Sequence, residues 1–329
     1  MMRIRIVDLR HAMAMSYSVL SLGLMLLGAG VAAGQSYPGK PLRIITGGVG
    51  GGNDVSARLV AQGLSVSMGQ QTIVDNRSSG AVTAEAVAKA APDGYTILVY
   101  GSTIWITPLM QKTPYDAVAD FAAITTIANS PHVVVVHPSL PVKFVSELIA
   151  LAKARPGELN YGSAGTGTSN HLAPELFISM ANVRIVHVPY KSASTQIADL
   201  LGGQVQLMFS ATGAALPLVK SGRLKALAVT SARPSALAPG LPTVAASGLP
   251  GFESGALYVM FAPARTPQAV IARLNQDTVR LLNQTDVKEK FFSAGMDAAG
   301  STPDVLAARM KSEIARLGKL IRDAGIRVE

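Results

Sequence analysis

The sequence of 329 residues predicts an α/β fold built from two similar units, and three observations carry that prediction. Short apolar strands alternate with helices along most of the chain, the pattern that gives parallel sheets. Two of those strands run into loops of glycine and small hydroxyl residues, within 47–52 and 164–170. Gly and Ala abound while aromatics make up only 5%, which suits helices packed closely on sheets better than an all-β sandwich. The length fits about two domains.

The first strand, Leu42–Thr46, carries the β-branched residues Ile44, Ile45 and Thr46, which suit a pleated, buried surface. It enters Gly47-Gly48-Val49-Gly50-Gly51-Gly52, where missing Cβ atoms let the backbone come close to a partner. Asn53 and Asp54 are good N-cap residues for a helix expected over Val55–Leu64, with Gly69 helping to close it. Such a strand–loop–helix unit aims unpaired N–H groups at one point, and the helix dipole makes that point mildly positive. An anion or carboxylate site is the physical expectation. The plain alternative is a tight turn that binds nothing.

A strand at Thr72–Asn76 follows, then a helix over Thr83–Ala91 stopped by the turn Pro92-Asp93-Gly94. The strand Tyr95–Tyr100 opens onto Gly101-Ser102-Thr103. Four consecutive valines, Val133–Val136, give the stretch Pro131–His137 the look of a strand buried on both faces. The helix Lys143–Ala154 stops at Arg155-Pro156-Gly157. A second series then begins with strand Leu159–Ser163, loop Ala164–Asn170 and helix His171–Met180. It continues through strand Arg184–Val188, helix Ser194–Leu201, strand Gln206–Phe209, helix Ala215–Lys220 and strand Lys225–Thr230. Pro- and Gly-rich connections occupy Arg233–Gly251. Strand Tyr258–Ala262 and helices Pro267–Leu282, Asp286–Ala294 and Pro303–Asp323 complete the chain. Ligands of open α/β sheets bind beyond the carboxyl ends of the strands, so facing loop sets would define a cleft.

Composition excludes several chemistries. Cysteine is absent, which removes disulfides, thiolate catalysis and Cys-ligated metal. The five histidines show no close ligand spacing, so no metal or other cofactor is expected. His171 and His187 read as structural, at a helix start and within a strand. The charge of +9 includes +2 from residues 1–34, where Arg3, Arg5 and Arg10 oppose Asp8. The remainder is spread, without basic runs and interleaved aromatics, so nucleic acid is not an expected partner.

Residues 1–34 have the layout of an export signal. Met1–His11 is basic, Ala12 to Val31 is uncharged around Leu20–Leu27, and Val31-Ala32-Ala33-Gly34 supplies small residues for cleavage near Ala33 or Gly34. A periplasmic protein is therefore expected.

Rival chemistries fit poorly. A dinucleotide site needs G-x-G-x-x-G, and after Gly48 and Gly50 the third position is Asn53. No G-x-S-x-G occurs, and Ser163 or Ser169 lie too near His171 in sequence for an evident triad. No enzyme activity is expected. The single tryptophan, Trp105, follows a strand end that points to the expected cleft; it is read either as stacking on an aromatic or apolar part of the ligand or as ordinary packing.

Several stretches together carry a family resemblance: Tyr37-Pro38-Gly39-Lys40-Pro41-Leu42-Arg43, Gly50-Gly51-Gly52-Asn53-Asp54, Ala90-Ala91-Pro92-Asp93-Gly94-Tyr95 and His187-Val188-Pro189-Tyr190-Lys191. Leu200-Leu201-Gly202-Gly203-Gln204-Val205, Ala226-Leu227-Ala228-Val229-Thr230-Ser231 and Leu241-Pro242-Thr243-Val244 extend it over the whole mature chain. The sequence resembles the Bug family, extracytoplasmic solute receptors of tripartite tricarboxylate transporters. The resemblance implies a periplasmic binding protein-like fold of class II type: two α/β domains closing on a small carboxylate in the cleft between them. It implies residues 1–34 as signal peptide, 35–134 with 257–329 as a discontinuous first domain, and 135–256 as the second. Expected partners are a carboxylate ligand and either membrane transporter subunits or a signalling protein; a monomer is expected.

Carried over by motif, the ligand site comprises Gly48, Val49, Gly50, Gly51, Gly52, Asn53 and Asp54 in the first loop. Gly165, Thr166, Gly167, Thr168, Ser169 and Asn170 form its counterpart. Ser102, Thr103, Trp105, Tyr190 and Ser210 join them. The chain departs from the family in places. Thr46-Gly47-Gly48-Val49 replaces Pro-Phe-x-Ala-like residues and loses an aromatic wall. The stretch after Asn76-Arg77 is shortened to Ser78-Ser79-Gly80-Ala81. Phe209-Ser210-Ala211 stands for Phe-Asp-Asn, which favours a ligand without an amino group.

Overall fold

The computed structural model describes residues 37–77, 80–165, 167–190 and 193–326. The expected export signal lies outside the described residues. Backbone contacts divide the chain into Met1–Gly39 and Lys40–Glu329, and the strands and helices among the described residues belong to the second of these units.

Two sheets organise it. The six-stranded sheet contains β1 Leu42–Thr46, β2 Thr72–Asn76, β3 Thr96–Gly101, β4 Phe121–Ser130, β10 Ala256–Pro263 and β11 Asp297–Ala298, in the order β11-β4-β10-β3-β1-β2. The five-stranded sheet contains β5 His132–Val136, β6 Asn160–Ser163, β7 Val186–Pro189, β8 Leu207–Ala211 and β9 Lys225–Val229, in the order β7-β6-β8-β5-β9. β1 runs parallel to β2 and β3, and β6 runs parallel to β7 and β8. β10 and β5 are antiparallel to their neighbours. The chain passes between the sheets at Pro131, and again through residues 230–255.

The described helices are α1 Gly52–Met68, α2 Gly80–Ala88, α3 Thr103–Ile106, α4 Val145–Ala154, α5 Ser169–Ala181, α6 Ala193–Leu201, α7 Thr212–Lys220, α8 Gln268–Leu282, α9 Thr285–Ser293 and α10 Pro303–Asp323. The valine run behaves as its composition predicts, since Val133–Val136 are all fully buried. Val134 and Val136 share a core with Phe177, Phe209 and Phe252, while Val133 and Val135 pack with Leu200, Met208 and Ala215. Alternation along one strand thus feeds two cores.

Some expectations need correction. α1 begins at Gly52 with Gly51 as N-cap, so Asn53 and Asp54 lie inside the first turn rather than capping it. Glycine tolerates the cap conformation, and the caps' work passes to the Asp54 carboxylate reaching back to the Gly50 N–H. α2 starts and ends earlier than Thr83–Ala91. β4, the longest strand among the described residues, carries Ala and Thr among its apolar residues and gives no strong alternation in sequence. It forms because β10 pairs along its full length and β11 adds to its other edge. The short helix α3 follows β3 directly, at Thr103–Ile106, an element the sequence pattern does not announce.

Candidate functional site

The first glycine loop is held by Asp54. Its carboxylate accepts the Gly50 N–H at 2.9 Å and Asn76 Nδ2 at 2.8 Å, and pairs with Arg58 Nε at 2.9 Å. Burial pushes this carboxyl's pKa up, yet the Gly50 hydrogen bond, Arg58 and Asn76 outweigh it and hold the group below the usual carboxylate range. Asp54 therefore braces the loop, and one loop amide is already spent on it. Gly48, Val49, Gly50 and Gly51 are exposed, with Val49 at 77%. Gly52 is the tight point: a Cβ there would lie 2.0 Å from Tyr258 Oη. Asn53 Oδ1 is buried without a hydrogen-bond partner, beside Gly101, whose added Cβ would sit 3.4 Å from it. Burial raises the pKa of both nearby phenols, Tyr100 and Tyr258.

The second loop is buttressed from below. Thr168 Oγ1 donates to Gly165 O at 2.6 Å, Ser163 Oγ bonds the Gly165 N–H at 3.2 Å, and the Gly167 N–H donates to His171 Nδ1 at 3.0 Å. Asn170 Nδ2 reaches Gln196 Oε1 at 3.3 Å. Under the loop, Tyr161, His187 and His171 stack, with 4.1 Å between the two imidazole centroids. Ser163 Oγ lies 2.7 Å from His187 Nε2, and Tyr161 donates its hydroxyl to Glu175 at 2.5 Å. Burial, with His187 adding to it, pushes the His171 pKa down to about 4, and burial lowers that of His187 and raises that of Glu175. Both histidines are therefore neutral supports, in line with the structural role read from their positions.

A cavity of about 640 Å³ lies where the chain crosses between sheets. Ser102, from the end of β3, and Ser169, from the first turn of α5, line it together with Ser130 and Pro131 of the crossing. Arg309 and Glu313 of α10 form another wall. Arg309 touches both crossing segments, donating to Asn129 Oδ1 at 3.4 Å and lying 3.9 Å from Glu253 Oε1. Asp297, whose pKa is raised by burial, accepts from Ser235 Oγ at 3.4 Å across the same cavity.

Of the sequence-predicted residues, the cavity thus brings together Ser102 and Ser169. Gly48–Asp54, Thr103, Gly165, Gly167, Thr168, Asn170, Tyr190 and Ser210 do not line it, and Thr166 lies outside the described residues. Tyr190 is half-buried and donates its hydroxyl to Asp199 at 2.8 Å. Ser210 is buried in β8 opposite Val133. Of the two readings of Trp105 the structure favours packing over stacking on a ligand: it is 1% exposed, packs edge-on to Phe261 at 6.2 Å and donates Nε1 to Glu313 at 3.2 Å. An apolar ring next to a forming helix entered the core, and only its N–H reaches towards the cavity wall. Sequence reasoning missed Asn129, Asp297, Arg309 and Glu313, which carry no local motif and meet around the cavity only through the fold. Among the described residues no cluster of His, Asp and Glu suits a metal ion.

The family model described as "Tripartite tricarboxylate transporter family receptor" matches residues 56–326. The chain belongs to that receptor family. The Bug resemblance holds as well: Protein BugT of Bordetella pertussis is 33% identical over 96% of this chain and 100% of its own. Rpa4515 of R. palustris, solved with adipate, is 35% identical with a TM-score of 0.76, covering 88% of this chain and 99% of that one. MatC of Rhodopseudomonas palustris, with bound malate, is 27% identical with a TM-score of 0.71, covering 87% of this chain and 100% of that one. This receptor therefore shares the fold of periplasmic solute-binding proteins. No helix among its described residues is long and apolar enough to cross a membrane.

Proposed function

We propose that this receptor binds a small carboxylate, a dicarboxylate or aromatic acid, without altering it, in the periplasm, and delivers it to a tripartite tricarboxylate-type transporter. The observation that carries the reading is the family match together with two relatives that hold adipate and malate. The domains are taken to follow the two sheets, dividing at Pro131 and within residues 230–255, and to close by bending there. The ligand carboxylate sits in the cavity at the start of α5, where Ser169 faces it and the helix dipole favours negative charge, and closure brings the first glycine loop towards it. Micromolar affinity requires only about −8 kcal/mol, within reach of several charge-assisted hydrogen bonds offset by the cost of ordering.

The test is mass spectrometry of ligand released from the purified receptor, followed by calorimetry with adipate, malate and a panel of mono-, di- and aromatic carboxylates. Micromolar binding with the carboxylate recovered unchanged is expected. No heat and no thermal shift across the panel defeats the reading, and a chemically altered carboxylate defeats its non-catalytic part.

A further inference from the structure

His132 is the first residue of β5, where the chain enters the five-stranded sheet. It is 4% exposed, and its Nδ1 is buried without a hydrogen-bond partner. Its Nε2 lies 3.4 Å from Ser169 Oγ, and Ser169 faces the cavity from the first turn of α5. The backbone of His132 is anchored without the ring. Its N–H donates to Thr230 Oγ1 at 2.8 Å, and its carbonyl accepts from the Thr230 N–H at 2.9 Å. The imidazole takes no part in these strand hydrogen bonds.

Burial pushes the His132 pKa down to about 4, so the ring is neutral and carries one N–H. A proton on Nδ1 would leave a buried N–H unpaired. A proton on Nε2 leaves only a lone pair unsatisfied, the more tolerable defect. Nε2–H then donates to Ser169 Oγ, and the serine hydrogen must point elsewhere. It does so at the end of a thirteen-residue helix whose first N–H groups and dipole favour an anion.

We propose that His132 is a positioning residue of the ligand site: by donating Nε2–H to Ser169 Oγ, it makes the Ser169 hydroxyl a donor into the cavity, selective for a carboxylate oxygen. The assignment rests on the carboxylate-receptor reading above.

Nitrogen-15 spectra of the ligand-free receptor read the tautomer directly. The Nε2–H form is expected, and an Nδ1–H form overturns the proposal whether or not a ligand is in hand. Calorimetry with adipate and malate then compares His132→Leu, Ser169→Ala, the double variant and His132→Gln. A neutral hydrogen bond is worth about two- to tenfold in affinity and one to a carboxylate about ten- to a hundredfold, so losses of about two- to a hundredfold bracket both kinds. Each single loss is expected in that range, the double variant is expected to be no weaker than Ser169→Ala, and His132→Gln, whose Nε2 reaches the same place, should restore most of the binding. Additive losses, or a Gln variant as weak as the Leu variant, overturn the proposal. If the unmodified receptor binds no carboxylate, the receptor reading falls, and the tautomer decides for His132 alone.

Discussion

Gly52 has no room for a methyl group, because Tyr258 Oη and Cζ would lie 2.0 and 2.5 Å from its Cβ. Gly52→Ala is expected to lower stability by about 1–3 kcal/mol through overpacking, seen as a lower denaturation midpoint. Trimming the obstacle in Gly52→Ala/Tyr258→Ala should recover part of the lost loop geometry, and a wild-type midpoint for the single variant would count against this contact. The buried histidines make a pH prediction. From the ordinary value of 6.5, His132 and His171 fall to about 4 in the fold. The unfolded chain takes up protons at these rings below about pH 6.5 while the folded one does not, so stability drops as pH falls from 6.5 towards 4. His171→Gln should flatten that slope in denaturation curves taken across this window. An unchanged slope would mean that His171 is not buried neutral.

At the level of elements, α10 ties down both crossings. Arg309 reaches Asn129 on the outgoing strand and Glu253 on the returning segment, while Arg316 donates to the Glu253 carbonyl at 3.0 Å. Glu313 joins Arg309 Nε at 3.2 Å to the Trp105 indole. These ion pairs are partly exposed, so Arg309→Met is expected to change global stability by less than about 1 kcal/mol. Its effect belongs to local opening: amide exchange at 129–132 and 253–256 should quicken while exchange in β1 and β8 stays the same. Equal protection in both proteins would mean that Arg309 does not hold the crossings.

For the whole molecule, the contact between Gly295 and the start of α7 sets how closely elements of the two sheets approach. A Cβ on Gly295 would meet the Gly213 nitrogen at 3.1 Å, and Gly295 itself has φ +75°. Gly295→Ala is therefore strained and acts as a wedge, expected to destabilise the fold by more than about 1 kcal/mol. Small-angle scattering should show that variant slightly expanded, and an unchanged profile with an unchanged midpoint would argue against close approach there.

Much of the fold was legible in the chain alone. The β-branched strand before Gly47, the valines of β5 and the stops at Pro92, Pro156 and Gly202 each act within a few residues, where sterics and alternation decide the outcome. The two glycine loops were legible for the same reason, as were the motifs that resemble the receptor family. Tertiary structure decided what depends on neighbours distant in sequence. Pairing with β10 made β4 a strand, and packing against Phe261 drew Trp105 into the core. Asp54 became a brace because Asn76 lies across from it in β2, a partner no local pattern announces. Local chemistry determined where glycine frees the backbone; the fold decided which side chains stand around those loops and around the cavity.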